Sequence, residues 1–307
     1  MAESASPHTF GVGPRSYRQL SGALLCVGIT SKKGRKNKVK KTGFKSLKMG
    51  VRCISVAVLP LIVLLGALAE VKADEADAKR MVKAMSDYMA GQKAISFGYD
   101  SILEVVTKDH QTLALASSGT VLLRRPDKIR ATRSGGFADV EMLFDGKTLT
   151  MLGKNANLYA QADIPGSIDH LIDELKNKYD RPLPAADLLM TDVYGQLMPD
   201  VIDIKDLGSG VIGGIECDHF AFRNKEVDWQ IWISQGDRPY PCRYVIKSVK
   251  IADGPQYSIQ IRDFKTGDQV AADDFGFQNP TKAKKIDPKD IPEMDELPKH
   301  FKIGDAK

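Results

Sequence analysis

The feature that most narrows what this chain can fold into is a long period-two alternation of apolar and polar residues between Ala94 and Ala162. Segments such as SFGYDSILEVVT, KIRATRS and ADVEMLF show this alternation, and residues that favour turns separate them. In the last segment Val140, Met142 and Phe144 share one side, and acidic residues lie on the other. Such alternation is typical of antiparallel strands with one buried face. The sequence therefore predicts a meander of strands on a hydrophobic core.

A second group of strands is predicted around Ile215 to Lys247, a stretch that holds both tryptophans and two of the four cysteines. The pattern there indicates three short strands that fold back on one another. Just before them, residues 208–213 match the bare GxGxxG pattern of a dinucleotide site. Such a site needs the glycines to open a helix, whereas a strand-like run follows here. The glycines therefore indicate a turn.

Two stretches carry helical periodicity instead. Residues 74–89 place Ala78, Val82 and three methionines on one face, which suits packing on a sheet or contact with a flexible apolar ligand. A second helix is predicted to begin at the N-cap Ser167, with apolar residues at i, i+3, i+4 and i+7. Because it falls between two groups of strands, this helix can lie across the sheet as a cover.

Residues 49–73 have the pattern of a secretory signal peptide. A positive start at Arg52 precedes an apolar run over residues 54–69, and cleavage after the small residue Ala73 would leave Asp74 as the new N-terminus. The run is shorter than the roughly 20 apolar residues that a membrane-spanning helix needs. We therefore predict export to the periplasm, with an inner-membrane anchor through residues 54–69 as the alternative.

The charge and composition of the remaining segments indicate whether they fold. Residues 1–48 contain eleven basic residues and one acidic residue, and we expect a basic, disordered or non-native upstream extension there. Without residues 1–73 the chain keeps 31 basic and 37 acidic residues, so its overall positive charge is no argument for nucleic-acid binding. Residues 74–280 are predicted to form one domain. Residues 281–307, rich in Lys, Asp and Pro, are predicted to form a loosely ordered tail.

Cys217 and Cys242 are the cysteines that remain after the predicted cleavage. Two cysteines in an exported domain favour one disulfide. In a plain three-strand meander the outer strands are about 9 to 10 Å apart, so the bond requires Cys242 to lie in a loop or the sheet to bend. A thiol nucleophile or a metal site with His219 is the less favoured alternative.

Residues 74–307 contain no HExxH motif, no P-loop, no nucleophile elbow and no Cys-x-x-Cys pair. We therefore expect no metal and no cofactor, and we expect the protein not to be an enzyme.

Longer segments carry a resemblance to a known family. They are RRPDKIRATRSGGFADVEMLFDGKTLT, IDHLIDELKNKYDRPLPAADLL, GGIECDHFAFRNKEVDWQIWI and RPYPCRYVI. From about Ala76 to Phe277 the chain resembles the bacterial family of predicted periplasmic proteins known as domain of unknown function 2092. That family is similar in fold to periplasmic lipoprotein carriers and lipoprotein receptors of the Lol type. The resemblance implies a mainly β, α+β fold: a strongly curved antiparallel sheet that forms an incomplete barrel, with helices covering its concave face.

The resemblance also implies a cavity between sheet and helices that can take acyl chains. The predicted function is therefore that of an exported periplasmic protein that binds or shelters a hydrophobic ligand, a lipid or an acyl chain. The candidate ligand-binding residues are Val140, Met142, Phe144, Leu149, Met151, Phe220, Phe222 and Trp232. The candidate lid is the helix that carries Ile168, Leu171, Ile172 and Leu175.

An ordinary filled core predicts the same alternation, so one alternative stays open: an envelope protein–protein interaction module with a filled core and no ligand. The expected partners are a lipid or a lipoprotein acyl chain and an unidentified envelope protein, with no nucleic acid. The chain is expected to be a monomer.

Overall fold

In the computed structural model the described residues are 60–136, 138–179, 183–273 and 275–289, with side chains described from residue 74 onward. The predicted extension, residues 1–48, lies outside them, as do residues 49–59 of the predicted signal segment and residues 290–307 of the predicted tail. Among the helices of the described part, none combines the length and apolar content that crossing a membrane requires.

Three α-helices and twelve strands make up the described part of the chain. The helices are α1 (Pro60–Gly91), α2 (Ile168–Asn177) and α3 (Val193–Leu197), and two short 3-10 turns occupy Ala186–Leu189 and Gly267–Gln269. The strands are β1 (Ala94–Val106), β2 (Thr112–Arg124), β3 (Lys128–Gly135), β4 (Asp139–Phe144), β5 (Thr148–Gly153), β6 (Leu158–Asp163), β7 (Asp203–Ile212), β8 (Ile215–Arg223), β9 (Val227–Ser234), β10 (Pro241–Ser248), β11 (Gln256–Thr266) and β12 (Lys284–Lys285). The alternating segment therefore forms strands, as predicted.

All twelve strands belong to one sheet, in the order β12-β6-β5-β4-β3-β2-β1-β11-β10-β9-β8-β7. Two meanders, β1 to β6 and β7 to β11, join because β11 pairs with β1. Within the described residues every strand pair is antiparallel except β12 with β6. β7 and β12 stand at opposite ends of the sheet, which is therefore an incomplete barrel. The predicted fold class, a mainly β curved sheet with helices over its concave face, is confirmed.

Helix α1 covers the half of the concave face that contains β7 and β9. Its residues Ala78, Val82, Met85 and Met89 are buried in the core. Their spacings of three and four residues place them on one side of the helix, as the sequence predicts. The face that carries the methionines is thus packed against the sheet.

Helix α2 begins at the predicted N-cap. The Ser167 hydroxyl accepts a hydrogen bond from the backbone N–H of His170 at 3.2 Å, which satisfies one of the N–H groups that a helix leaves unpaired at its start. The apolar residues Ile168, Leu171, Ile172 and Leu175 are all buried. After α2 the 3-10 turn Ala186–Leu189 contacts both α2 and α3, and α3 contacts α1, so these segments form one layer over the sheet.

The C-terminal strap, residues 270–273 and 275–289, lies against the outer face of the first meander. Arg130 on β3 bonds Asp273 of the strap at 2.9 Å and Glu141 of β4 at 2.6 Å. Phe275 is buried, and β12 extends the sheet beyond β6. The folded region therefore continues past the boundary predicted at residue 280, because the strap has hydrogen bonds and apolar contacts that composition alone does not reveal.

The predicted disulfide is absent, since Cys217 and Cys242 are both free and buried. Cys217 lies on β8 and Cys242 on β10, with β9 between them. The two thiols are not bonded, although Cys242 lies at an irregularity of β10 between Pro241 and Arg243 and each thiol is within side-chain hydrogen-bonding reach of the other. Burial raises the pKa of both thiols.

Replacement of Arg130 by Met should loosen the C-terminal strap. The arginine side chain is 26% exposed, and its loss removes the ion pair with Asp273 and leaves Glu141 with Lys154 as its remaining cation. We expect the free energy of unfolding to fall by about 1 to 3 kcal/mol, the usual cost of losing hydrogen bonds to charged groups. Chemical denaturation measures this change, and hydrogen exchange should increase in residues 275–286.

The matched control is Arg262→Met on β11. Arg262 forms ion pairs with Asp100 and Asp263, all of them well exposed, so its loss should cost less than about 1 kcal/mol. Equal effects of the two substitutions on stability and on strap exchange would contradict the role assigned to Arg130.

Both thiols should be free and slow to react in the folded protein. Their raised pKa values leave little thiolate near pH 8, and the thiolate is the reactive form. We expect iodoacetamide to label Cys217 and Cys242 at least about tenfold more slowly in buffer than in urea. Peptide mass spectrometry without reductant measures the labelling, and a linked peptide that contains both cysteines would show this expectation to be wrong.

Candidate functional site

A cavity of about 230 Å³ lies between the concave face of the sheet and the helical layer. Strands β1 to β5 and β11 supply most of its sheet wall, and α2 with residues 183–189 supplies the opposite wall. The lining is mainly aliphatic and aromatic. An apolar hollow with a few polar groups is the usual form of a small-molecule site.

The cavity arises because the helices cover the two halves of the sheet unequally. Over β7 to β9 the interior is filled by α1 and by side chains such as Phe222 and Trp229, whose rings stack at 3.9 Å between centroids. Over β1 to β5 the cover is α2, only ten residues long, and the short segment that follows it. Packed interiors contain few voids larger than a water molecule, so this hollow marks the candidate site.

The cavity has a closed end and an open end. At the closed end Met89, Ile168 and Leu171 are at most 1% exposed. The lining is more exposed at Leu183, which is 37% exposed, and at Arg133, which is half-buried. We call this open part of the cavity the mouth, and a ligand would enter there.

Polar groups of the sheet wall gather at the mouth. The Tyr99 hydroxyl donates a hydrogen bond to the backbone carbonyl of Thr132 at 2.8 Å. The Ser101 and Ser117 hydroxyls are 2.9 Å apart. Tyr257 on β11 and Arg133 on β3 complete the group of polar side chains that line the cavity here.

Gly119 makes room for this arrangement. It pairs with Tyr99 on β1 and with Arg133 on β3. A Cβ atom at position 119 would lie 1.9 Å from the Thr132 carbonyl oxygen and 2.6 Å from the Tyr99 hydroxyl. Because only glycine avoids these overlaps, it lets the Tyr99 ring lie across β2 and reach β3.

The two phenols stay protonated at neutral pH. Burial raises the pKa of Tyr99, although the positive charge of Arg133 acts in the opposite direction. Burial also raises the pKa of Tyr257 to about 12, again against the charge of Arg133. A protonated phenol can donate a hydrogen bond, so the mouth presents hydroxyl donors beside a cation.

The predicted ligand-binding residues fall into three sets. Val140, Met142 and Met151 line the cavity. Phe144 and Leu149 face the same side of the sheet, but they lie in the packed core beyond the cavity wall. Of the candidate lid residues, Ile168, Leu171 and Ile172 line the cavity, while Leu175 is buried in the core beside it.

The residues predicted on β8 and β9 do not reach the cavity. Phe220 and Phe222 are buried in the part of the core that α1 covers. Trp232 lies on the outer face, where it stacks on His219 at 3.9 Å between ring centroids. The buried tryptophan of the concave face is Trp229, which shares its period-two phase with Ile231. Trp232 shares its phase with Gln230, and that polar neighbour was the signal for an outward position.

Sequence reasoning missed the polar residues of the mouth: Tyr99, Ser101, Ser117, Arg133 and Tyr257. Their signal is a polar residue at an inward position of an alternating strand. Arg133, for example, follows Ile129 and Ala131 in the same phase. Elsewhere in the described ranges, no group of three or more His, Cys, Asp or Glu side chains is placed to hold a metal ion.

Several solved structures are distantly similar to this chain. An uncharacterised conserved protein from Thermus thermophilus has 10% identity and a TM-score of 0.38, over 69% of this chain and 99% of its own. The lipoprotein LppX of Mycobacterium tuberculosis has 12% identity and a TM-score of 0.39, over 63% and 97%. A LolA superfamily protein from Nitrosomonas europaea has 11% identity and a TM-score of 0.30, over 65% and 99%. Likenesses this distant say nothing about a ligand of the present protein.

Sequence comparison identifies the family. No curated protein matches the chain. The family model with the description "Predicted periplasmic protein (DUF2092)" matches residues 78–288, which span the sheet, the helical layer and the strap. The match covers more than half of the chain and confirms the resemblance seen in the sequence. The chain therefore belongs to this family of predicted periplasmic proteins.

Proposed function

We propose that the protein binds a small hydrophobic ligand, a lipid or an acyl chain, in the cavity between its sheet and α2. The observation that supports this function is the apolar hollow of about 230 Å³ with one closed end and one open end. Burial of an acyl chain there removes apolar surface from water, at a gain of roughly 0.8 kcal/mol for each CH₂ group. The role is one of binding and shelter, without catalysis.

The walls suit a flexible apolar guest. Met89, Met142 and Met151 line the cavity, and methionine side chains adapt to irregular shapes. The strap packs on the outer side of the sheet wall and stabilises it. A bound ligand would therefore contact a rigid sheet on one side and the short helix α2 on the other. The competing function is an interaction module of the envelope that takes no guest.

Export to the periplasm with cleavage after Ala73 is part of this proposal. The protein belongs to a family of predicted periplasmic proteins, and residues 49–73 have the pattern of a signal peptide. After cleavage α1 would begin with Asp74, Glu75 and Asp77. Acidic residues in the first turn interact favourably with the positive end of a helix, so the shortened α1 would keep a stable start.

N-terminal sequencing and intact-mass measurement of the protein from a periplasmic extract test the cleavage. We expect the chain to begin at Asp74. A chain that keeps residues 54–69 and stays in the membrane fraction would instead support the anchored alternative.

Binding is tested with N-phenyl-1-naphthylamine, a neutral dye that fluoresces in apolar surroundings, added to protein purified without detergent and delipidated. We expect saturable binding of one dye per chain. Ala131→Phe should abolish it, because Ala131 lines the cavity and the larger ring would occupy the space. Overpacking of a filled core costs about 1 to 3 kcal/mol, whereas a ring that fills a hollow should leave the free energy of unfolding almost unchanged.

The matched control is Ala116→Phe on β2. Ala116 is exposed and pairs with the exposed Ile102, so the added ring points away from the cavity. The control should bind the dye as the unmodified protein does. If the unmodified protein binds no dye and Ala131→Phe is strongly destabilised, the interior is filled and the interaction module is the better account.

A further inference from the structure

Three hydroxyl groups form a chain in the wall of the cavity. Ser101 on β1 and Ser117 on β2 are direct strand partners, and their hydroxyl oxygens are 2.9 Å apart. Tyr257 on β11, the strand on the other side of β1, lies within side-chain hydrogen-bonding reach of Ser101. All three residues line the cavity. Ser101 therefore lies in the middle of a hydroxyl chain that crosses three strands.

These hydroxyls interrupt an otherwise apolar wall. Ser101 is 5% exposed, and Leu103, the next inward residue of β1, also lines the cavity. Burial of a hydroxyl costs free energy unless the group is hydrogen-bonded. A pair of small apolar residues would fill the positions of Ser101 and Ser117 without that cost. Packing alone therefore gives no reason for this pair.

The protons of the chain outnumber its well-placed acceptors. Each hydroxyl has one proton to donate. If Tyr257 donates to Ser101 and Ser101 donates to Ser117, the Ser117 proton has no acceptor among the described residues. If the chain runs in the opposite direction, the Tyr257 proton has none. Both of these directions leave one O–H donor in the cavity wall.

A third arrangement uses all the protons but has a poor geometry. In it Ser101 donates to the backbone carbonyl of Ser117, and that contact is 3.4 Å long. Hydrogen bonds between a hydroxyl and an oxygen are usually about 2.5 to 3.0 Å long. The wall is thus best completed by an acceptor that comes from the guest.

An uncharged oxygen suits this place. The hydroxyls carry no charge, since burial raises the pKa of Tyr257 to about 12. A carbonyl oxygen can accept their proton without the large cost of moving an ion out of water. Arg133 lines the same wall but already interacts within the protein, so its charge takes no part in this assignment.

We infer that the guest carries an uncharged carbonyl group, as an ester of an acyl chain does, and that its oxygen accepts a hydrogen bond from the chain of Tyr257, Ser101 and Ser117. The acyl chain occupies the apolar remainder of the cavity. This inference rests on the proposed function, the binding of an apolar guest in the cavity.

The experiment measures displacement of N-phenyl-1-naphthylamine from the delipidated protein at pH 8 by methyl hexanoate, heptanoate and 1-chloroheptane, which have chains of equal length. The first has an uncharged carbonyl, the second is an anion, and the chlorine of the third accepts hydrogen bonds only weakly. We expect heptanoate to bind about tenfold or more weakly than methyl hexanoate, because its charge has to leave water. Equal or tighter binding of heptanoate would overturn the inference.

The double substitution Ser117→Ala with Tyr257→Phe removes the hydroxyls at both ends of the chain and keeps the shape of the wall. It should weaken binding of methyl hexanoate about two- to tenfold relative to 1-chloroheptane, the usual effect of one lost hydrogen bond.

The matched control is Ser118→Ala with Tyr159→Phe. Ser118 bonds Asp100 on the outer face, and the Tyr159 ring contacts Phe277 of the strap, so neither side chain lines the cavity. The control should leave the ratio of the two affinities unchanged. An equal change in both double variants would contradict the assignment.

Infrared spectroscopy tests the same hydrogen bond without a variant. A hydrogen bond lowers the stretching frequency of an ester carbonyl, so methyl hexanoate labelled with carbon-13 at this group should absorb at a lower frequency in the protein than in hexane. A frequency equal to that in hexane would show the inference to be wrong, and this result stands even if the double variant does not fold.

Failure of the inference differs from failure of the proposed function. If the dye and 1-chloroheptane bind but the hydroxyls give methyl hexanoate no advantage, the carbonyl assignment is wrong and the binding function stands. If neither the dye nor any of the three compounds binds, the proposed function fails as well.

Discussion

The structure depends on one mismatch: a sheet of twelve strands presents a wider concave face than its helices can cover. An open sheet has to bury one face against another layer. Here that layer is one long helix, one helix of ten residues and one of five. The side chains of α1 reach the sheet over β7 and β9 and fill that half. The short α2 spans the other half without filling it, and the cavity is the space that remains.

The rest of the chain keeps this open sheet in shape. Among the described residues, β7 and β12 have no strand partner on their outer sides, and such strand edges favour association with other chains. At one end β7 has an irregularity between Asp206 and Ser209, where Gly208 adopts a φ of +78°, and such bulges disturb an edge. At the other end β12 covers part of β6. The strap that carries β12 also binds Arg130 behind the cavity wall, so edge protection and support of the wall come from one segment.

Most of the fold follows from local patterns in the sequence. The alternation that includes Val140 predicts the strands, and the N-cap Ser167 with the four apolar residues after it predicts α2. Both signals depend only on residues that are neighbours along the chain. The site is less predictable, because it depends on which strands lie under which helix. Phe222 and Met142 have the same inward phase, yet only Met142 lines the cavity, and the sheet order that separates them is a long-range property.

Arg133 is the clearest departure from the pattern that builds the core. Ile129 and Ala131 take the inward positions before it, and an aliphatic residue in its place would complete the wall. Exchange of a buried ion for well-packed apolar groups is often neutral or stabilising, so packing alone gives no reason for a charge at this position. Its half-buried place at the mouth and its polar contact within the protein reduce the cost of desolvation. Local rules tend to fail at functional sites, and this failure lies where an apolar cavity opens to water.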